Sequence, residues 1–238
     1  MSTPNNLPAE ISSFVGRERQ LADLRRLMRK SRLITLTGPG GAGKTRLAMR
    51  LGTDILDRHP DGVWLVDLAA LNDARLLEQT VASACGVREE VLRPIFETLV
   101  ENLGARQTLL ILDSCEHLVE PCAALAESVL RSCPRLRILV TSREPLGVAG
   151  ELIWRTPSLS LPRPEDGDHS ELVLESEAVR LYLDRAQLSE PGFDLSESGS
   201  AAAVAQICAR LEGIPLAIEL AASLTRVMTV QELSLIHI

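Results

Sequence analysis

Eight residues at positions 38–45, Gly-Pro-Gly-Gly-Ala-Gly-Lys-Thr, carry the clearest chemical signal in the sequence. They match the pattern G-x-x-x-x-G-K-[ST], whose glycines let the backbone curl until its N–H groups point at a bound phosphate. Lys44 adds a point charge beside the phosphates, and the Thr45 hydroxyl offers an oxygen to Mg²⁺. The motif therefore predicts a loop that holds the phosphates of a nucleotide. The residues expected to line this loop are Gly38, Pro39, Gly40, Gly41, Ala42, Gly43, Lys44, Thr45 and Arg46.

A second magnesium anchor is predicted at Asp113, which ends the apolar run TLLILD at residues 108–113. An acid at the end of a buried strand beside the phosphate loop can hold the metal, although it can also cap a helix. Glu116 could polarise a water for attack on the γ-phosphate, or it could interact favourably with the dipole of the following helix. Both interpretations of Glu116 stay open at this point.

Two further residues are candidates for ligand contact. Arg143 follows the apolar run RILVTS at 137–142, at the edge of the sheet where ligands bind in open α/β folds. An arginine there can contact a γ-phosphate or form a structural salt bridge. Pro215, within Gly-Ile-Pro-Leu, is typical of the first residue of a helix.

The elements that must position these residues alternate along the chain. Strands are predicted at 32–37, 62–68, 108–113 and 137–142, and helices at 17–29, 44–57, 74–85, 91–103 and 118–131. This alternation indicates βαβ units and a parallel sheet. We therefore expect an α/β fold of the P-loop NTPase type, with a three-layer α/β/α core and a mainly parallel sheet, followed by a partial all-helical subdomain.

The pattern changes after Trp154 and predicts a division into domains. The segment TPSLSLPRPEDGD is rich in proline and small residues, as linkers are, and only helices are predicted beyond it, near 171–187, 199–211 and 215–226. The predicted parts are a lead-in at 1–16 with a nucleotide-contacting motif, an NTPase core at 17–157, a linker at 158–170 and a helical subdomain at 171–238. Because the chain stops inside an apolar stretch with no cap, we expect that subdomain to be truncated, and residues 234–238 are atypical.

The composition excludes several classes of protein. The chain of 238 residues is 45% hydrophobic and 24% charged, which describes a globular protein, and its net charge of −7 argues against direct contact with nucleic acid. Five cysteines without a C-x-x-C pair are expected to be reduced core thiols of a cytoplasmic protein. No apolar run approaches the roughly 18 residues of a membrane span. Of the 25 basic residues only Lys30 and Lys44 are lysines, and neither is placed to serve the guanine-reading motif of GTPases.

Five segments in order resemble motifs of the STAND class of ATPases. They are FVGRE at 14–18, the phosphate loop at 38–45, LLILDSCEHL at 109–118, ILVTSRE at 138–144 and EGIPLAIELAA at 212–222. The resemblance covers about residues 7–230 and is greatest to the NB-ARC-like ATPase domain of large bacterial transcriptional regulators of the AfsR/LuxR type. These regulators also carry winged-helix, repeat and DNA-binding parts that this sequence lacks.

The resemblance implies roles that the residues alone do not. Val15, Gly16 and Arg17 would lie near the adenine and ribose, Pro215 would pack on the adenine, and Arg143 would sense the γ-phosphate. Ser114 departs from the family, which often has Asn or Asp after the metal-binding acid. This departure weakens the case for efficient hydrolysis and leaves Glu116 as a weaker candidate for the base.

Two classes of function follow from these features. The first is a regulatory switch that binds ATP or ADP with Mg²⁺ and hydrolyses ATP slowly. Its partners would be C-terminal sensor and DNA-binding domains outside this chain, with self-association that depends on the nucleotide. The second is an active P-loop ATPase or kinase that transfers the γ-phosphate, although no acceptor site or arginine-rich lid is evident. A GTPase and a direct DNA-binding protein are disfavoured by the scarcity of lysine and by the acidic charge.

Overall fold

A computed structural model describes residues 3–90, 92–162, 173–195 and 200–235. By its contacts the chain divides into two compact units. The first, here called the sheet unit, comprises Met1–Ala9, Arg19–Gly40 and Lys44–Thr156. The second, here called the helical unit, comprises Glu10–Glu18, Gly41–Gly43 and Pro157–Ile238. Most of the predicted linker, at 163–170, and the last residues, 236–238, lie outside the described residues, and the predicted domain boundaries stay predictions.

The described part of the sheet unit contains one parallel sheet. Its strands are β1 (Leu33–Thr37), β2 (Val63–Asp67), β3 (Leu109–Asp113), β4 (Arg137–Ser142) and β5 (Glu151–Arg155). Their spatial order is β2-β3-β4-β1-β5, and every pairing is parallel. Thr37 is in register with Ser142, and Asp67 with Asp113, so the strands end together at one edge. The predicted α/β fold of the P-loop NTPase type is confirmed.

The helices of this unit each bury an apolar face. They are α1 (Glu18–Lys30), α2 (Lys44–Asp54), α3 (Leu77–Ala84), α4 (Ile95–Leu103) and α5 (Val119–Ser132), with 3₁₀ turns at Leu56–Arg58, Ala74–Leu76 and Cys115–His117. Strands β1 and β3 are buried at every position, as expected of strands covered on both faces. Their aliphatic side chains form the core with α3, α4 and α5.

Two local predictions were wrong. The helix predicted at 91–103 begins only at Ile95, because Pro94 has an extended ψ of 133°. No strand was predicted at Glu151–Arg155, yet β5 pairs with β1 along its whole length. No residue of this edge strand is fully buried, so it lacks the continuous apolar run that identified the central strands.

The helical unit has its own hydrophobic core. Its helices are α6 (Glu177–Ser189), α7 (Ser200–Arg210), α8 (Pro215–Ser223) and α9 (Val230–Leu235), with a 3₁₀ turn at Leu224–Arg226. Tyr182 is fully buried at the centre of this core, among aliphatic and alanine side chains of the four helices. Val15, from the N-terminal segment, packs against the same core.

The cysteines and the helices bear on two properties of the chain as a whole. All five cysteines are buried and free, as predicted. Among the helices described above, none has the length and apolar character needed to cross a bilayer.

Candidate functional site

The phosphate loop joins the end of β1 to the start of α2. Gly41 and Gly43 have φ angles of +75° and +83°, which residues other than glycine rarely adopt. The loop leads directly into α2, and the first backbone N–H groups of an α-helix have no intrahelical acceptor and lie at the positive end of the helix dipole. This is the local geometry that a phosphate group requires.

Lys44, the first residue of α2, folds back over its own loop. Its Nζ donates hydrogen bonds to the carbonyl oxygens of Gly38 at 2.9 Å and Pro39 at 3.0 Å. Partial burial lowers the pKa of Lys44; Arg143 also lowers it, while Glu116 and Asp113 raise it. The ammonium thus lies in the same charged neighbourhood as the three other residues predicted to act in catalysis.

The two predicted metal residues are in direct contact. Thr45 Oγ1 donates to Asp113 Oδ1 at 2.8 Å, and Asp113 is only 5% exposed. Burial raises the pKa of Asp113, although the hydrogen bonds from Thr141 and Thr45 act in the opposite direction. A hydroxyl and a carboxylate are oxygen ligands of the kind that Mg²⁺ prefers, so these residues fit that ion.

Thr141, in β4, is a residue that the sequence analysis missed. Its hydroxyl donates to Asp113 Oδ1 at 2.5 Å and accepts a hydrogen bond from the backbone N–H of Ser114 at 2.9 Å. Ser114 has a φ of +64°, a left-handed conformation that costs energy for a residue with a side chain. Thr141 thus holds both the carboxylate and the backbone turn that follows it. A polar residue near the end of a buried strand was the only available signal for it.

Glu116 and Arg143 form an ion pair near the phosphate loop. Glu116 is in the 3₁₀ turn Cys115–His117, and its Oε1 is 3.6 Å from Arg143 Nε. Within the described residues, Glu116 Oε2 is buried and has no hydrogen-bond partner. The Arg143 side chain is 70% exposed, and its Nη2 would be 3.8 Å from a Cβ placed on Gly40. An exposed cation and a carboxylate with a spare oxygen therefore border the phosphate loop.

In the helical unit, the predicted base-contacting segment forms a tight turn. Gly16 and Arg17 have consecutive positive φ angles of +73° and +66°. The Arg17 side chain is buried, and its Nη2 donates to the carbonyl oxygen of Ala42 at 2.8 Å. Burial lowers the pKa of Arg17, and Glu177 raises it. Glu177, which also contacts this turn, is a second residue that the sequence analysis missed.

Pro215 begins α8, as the sequence predicted. The next residue, Leu216, donates its backbone N–H to the carbonyl oxygen of Gly41 at 3.2 Å. A Cβ placed on Gly43 would lie 3.7 Å from Pro215 Cγ. The tip of the phosphate loop, at 41–43, is therefore grouped with both predicted base-contacting segments inside the helical unit.

The predicted site residues thus fall into two groups, each brought together within one unit. Lys44, Thr45, Asp113, Glu116 and Arg143 cluster in the sheet unit, as their contacts and mutual electrostatic effects indicate. In the helical unit, Arg17 is joined to the loop tip through Ala42. Arg46 lies in the first turn of α2.

Comparison with known proteins agrees with the resemblance found from the motifs. An uncharacterized protein of Mycobacterium tuberculosis is 41% identical over 98% of this chain, which spans 56% of that protein. Another protein of the same organism, provisionally named an HTH-type transcriptional regulator, is 43% identical over 89% of this chain and 22% of its own length. The crystal structure of a STAND protein with a tetratricopeptide repeat sensor from Pyrococcus horikoshii has the same fold. Its TM-score is 0.53 at 19% identity, over 90% of this chain and 30% of that one.

The chain spans little more than half of the first of these relatives and less of the other two. A family model described as an AAA domain matches residues 25–148, which is more than half of the chain. That range contains the phosphate loop, Asp113, Glu116 and Arg143. The chain therefore belongs to the AAA domain family.

Proposed function

We propose that this chain is an ATP- and ADP-binding regulatory switch that hydrolyses ATP slowly with Mg²⁺. One observation carries the proposal: the hydrogen bond of 2.8 Å between Thr45 Oγ1 and Asp113 Oδ1, directly beside Lys44 at the start of α2. It joins the two oxygen ligands that a nucleotide-bound magnesium ion needs to the residue that neutralises phosphate charge. This combination supports a triphosphate site more strongly than a Gly-rich turn alone would.

Each residue of the sheet unit has a defined part in this proposal. Lys44 exchanges its two carbonyl partners for phosphate oxygens, and the N–H groups at the start of α2 bind the β-phosphate. Thr45 and Asp113 would hold Mg²⁺, which when bound would supply positive charge that offsets the charge of the phosphates. Glu116 accepts a proton from the water that attacks the γ-phosphorus, as the bond to the β-phosphate oxygen breaks and ADP and phosphate form.

The base is assigned to the helical unit by resemblance. Val15, Gly16 and Arg17 would contact the adenine and ribose, and Pro215 would pack on the adenine. The contact of Arg17 with Ala42, and that of Leu216 with Gly41, support this assignment because both reach the loop that binds the phosphates.

The switch itself depends on the γ-phosphate. Arg143, exposed beside the loop, would contact this group in ATP and have no such contact in ADP. A ligand shifts an equilibrium between two states only by its difference in affinity for them, so Arg143 is the residue expected to create that difference. Slow hydrolysis would then return the chain from one state to the other.

The biological setting is inferred from the relatives and the resemblance. We propose that the chain is the nucleotide-binding part of a cytoplasmic transcriptional regulator, divided as predicted at 16/17, 157/158 and 170/171. Sensor and DNA-binding domains would act with it, and its own net charge of −7 disfavours direct contact with nucleic acid. Self-association that depends on the nucleotide is part of the same proposal.

The alternative is an active ATPase or kinase that transfers the γ-phosphate. Glu116 Oε2 has no hydrogen-bond partner in the described residues, so the base assigned to the switch would serve a fast enzyme as well, and the rate of turnover decides between the two. A fast enzyme of this class would turn over at about 1–100 per second.

Measurement of turnover and affinity separates the two functions. A switch is expected to hydrolyse ATP at on the order of 10⁻³ per second or slower and to bind ATP and ADP with different affinities. Single-turnover hydrolysis and titrations with each nucleotide on the wild-type chain test this. Rapid turnover, or transfer of phosphate to an added acceptor, would favour the alternative, and equal affinities with no hydrolysis would contradict the switch.

A further inference from the structure

The turn at Gly16–Arg17 is held by a carboxylate from another element. The backbone N–H of Arg17 donates to Glu177 Oε1 at 2.6 Å, a short hydrogen bond to a charged acceptor. Gly16 is packed against the same side chain, since a Cβ at that position would lie 2.9 Å from Glu177 Cγ. The conformation of both residues of the turn therefore depends on the position of the Glu177 side chain.

Glu177 is fixed by a second set of contacts. Its Oε2 accepts the backbone N–H of Ser160 at 3.0 Å, and its own N–H donates to Ser160 Oγ at 2.9 Å. Each carboxylate oxygen thus accepts one backbone N–H, which a glutamine could not reproduce because it has a single acceptor oxygen. The arrangement requires a carboxylate and not merely a polar side chain of this length.

The start of α6 does not itself require Glu177. Ser176 already caps this helix, because its hydroxyl accepts the N–H of Val179 at 3.3 Å. An acid in the first turn of a helix is favourable, but the neighbouring exposed Glu175 offers a similar charge there. The contacts of Glu177 with Arg17 and Gly16 are therefore not needed to form the helix.

The side chain of Arg17 extends the same connection to the phosphate loop. Arg17 is 3% exposed, and its Nη2 donates to the carbonyl oxygen of Ala42 at 2.8 Å. Its Nη1 is buried with no hydrogen-bond partner among the described residues, so this guanidinium is held at some cost. Glu177, Arg17 and Ala42 form a continuous chain of contacts from α6 to the tip of the loop.

We propose that Glu177 is a positioning residue that fixes the Gly16–Arg17 turn relative to the tip of the phosphate loop, so that a nucleotide can engage both at once. The inference rests on the proposed nucleotide site and adds a residue to it. Glu177 is therefore expected to raise the affinity only for a ligand that carries both a base and phosphates. The affinity for inorganic pyrophosphate, which has no base, should not depend on Glu177.

The test compares Glu177→Gln with Glu175→Gln, an exposed neighbour two residues away. Displacement of a fluorescent ADP measures the affinities for ADP and for inorganic pyrophosphate, both with Mg²⁺. Glu177→Gln is expected to weaken ADP binding about tenfold and to leave pyrophosphate binding unchanged, whereas Glu175→Gln changes neither. ADP binding equal to that of the wild type, or an equal loss for both ligands, would overturn the proposal.

A second pair of variants guards against a folding defect in Glu177→Gln. Gly16→Ala places a Cβ against Glu177, while Gly147→Ala, at a nearly identical φ of +75°, meets no described atom within 4 Å. Selective loss of ADP binding in Gly16→Ala alone supports the proposal, and equal behaviour of the two alanine variants overturns it. A wild-type chain that binds no nucleotide at all would instead overturn the proposed function, and this inference with it.

Discussion

At the scale of single residues, Asp113 combines burial with charge. It is 5% exposed, and burial raises its pKa despite hydrogen bonds from Thr45 and Thr141. A buried carboxylate lowers the stability of the metal-free protein, because no bound ion compensates its charge. The charge of Asp113 should therefore favour magnesium binding and at the same time lower the stability of the metal-free chain.

Asp113→Asn is expected to make the metal-free chain more stable at neutral pH. Because the pKa of Asp113 is raised in the folded state, the native protein binds more protons between the unfolded value near 4 and the folded value, and stability falls as pH rises through that window. The variant lacks this loss and should melt roughly 2–4 °C higher at pH 7 without Mg²⁺.

Thermal unfolding from pH 4 to pH 8 measures the effect as the difference between wild type and variant. Glu120→Gln, an exposed acid of α5, serves as the control and should follow the wild type. A melting temperature of Asp113→Asn that equals or falls below that of the wild type at pH 7 would contradict this account of Asp113.

Arg143 is expected to matter for the ligand and not for the fold. Its side chain is 70% exposed and its ion pair with Glu116 spans 3.6 Å, so the pair adds well under about 1 kcal/mol to stability. Arg143→Ala should weaken ATP binding about tenfold and change ADP binding little, since only ATP carries the γ-phosphate.

Paired titrations with ATP and ADP give the ratio of affinities directly. Arg131→Ala is a matched control, because the Arg131 side chain is 75% exposed and forms an ion pair with Glu127 at 2.7 Å. If Arg143→Ala lowered both affinities equally, Arg143 would not discriminate between the two nucleotides.

At the scale of elements, close approaches of the backbone explain why glycine is needed. Gly213, between α7 and α8, has a φ of +67°, and a Cβ there would lie 2.4 Å from the carbonyl oxygen of Leu159. The same two residues share a hydrogen bond of 2.9 Å between Leu159 N–H and Gly213 O. The orientation of α8, which begins at Pro215, depends on this contact.

Gly213→Ala should therefore destabilise the chain far more than Gly86→Ala. The two glycines have φ angles of +67° and +69°, but a Cβ on Gly86 meets no described atom within 4 Å. The strain of a left-handed alanine, about 1–2 kcal/mol, is common to both, and only Gly213→Ala adds a steric clash with backbone. Calorimetric unfolding of both variants measures the difference, and similar losses would contradict the importance of this approach.

The sequence predicted those elements whose signal is local. The phosphate loop, the strands that lead to Lys44, Asp113 and Arg143, and the start of α8 at Pro215 all follow from nearby residues. Strand β5 was missed because an edge strand is only half buried and has no uniform apolar run. Thr141 and Glu177 were missed because their roles come from partners 28 and 160 positions away, which no local pattern reveals.

At the scale of the whole molecule, the scarcity of lysine in the composition supports a phosphate site. Of the 25 basic residues only Lys30 and Lys44 are lysines, and one of the two stands in the phosphate loop. A compact ammonium suits a phosphate held by backbone N–H groups, where a larger guanidinium would not fit as well. The overall charge of −7 agrees with a nucleotide switch rather than a nucleic-acid-binding surface.

The scarcity of lysine also supplies a control for the central claim. Lys30 is the last residue of α1, exposed and outside the loop at 38–45, so Lys30→Ala removes the same type of charge elsewhere. Any effect of Lys44→Ala that Lys30→Ala does not share belongs to the phosphate loop.

Calorimetric titration of the wild-type chain, Lys44→Ala and Lys30→Ala with ADP and Mg²⁺ is the most direct test of the account. We expect the wild type and Lys30→Ala to bind one ADP per chain with equal affinity. Lys44→Ala should bind it about 10- to 100-fold more weakly, as loss of a charged hydrogen-bond donor to phosphate predicts. No binding by the wild type, or undiminished binding by Lys44→Ala, would contradict the claim that this loop holds a nucleotide.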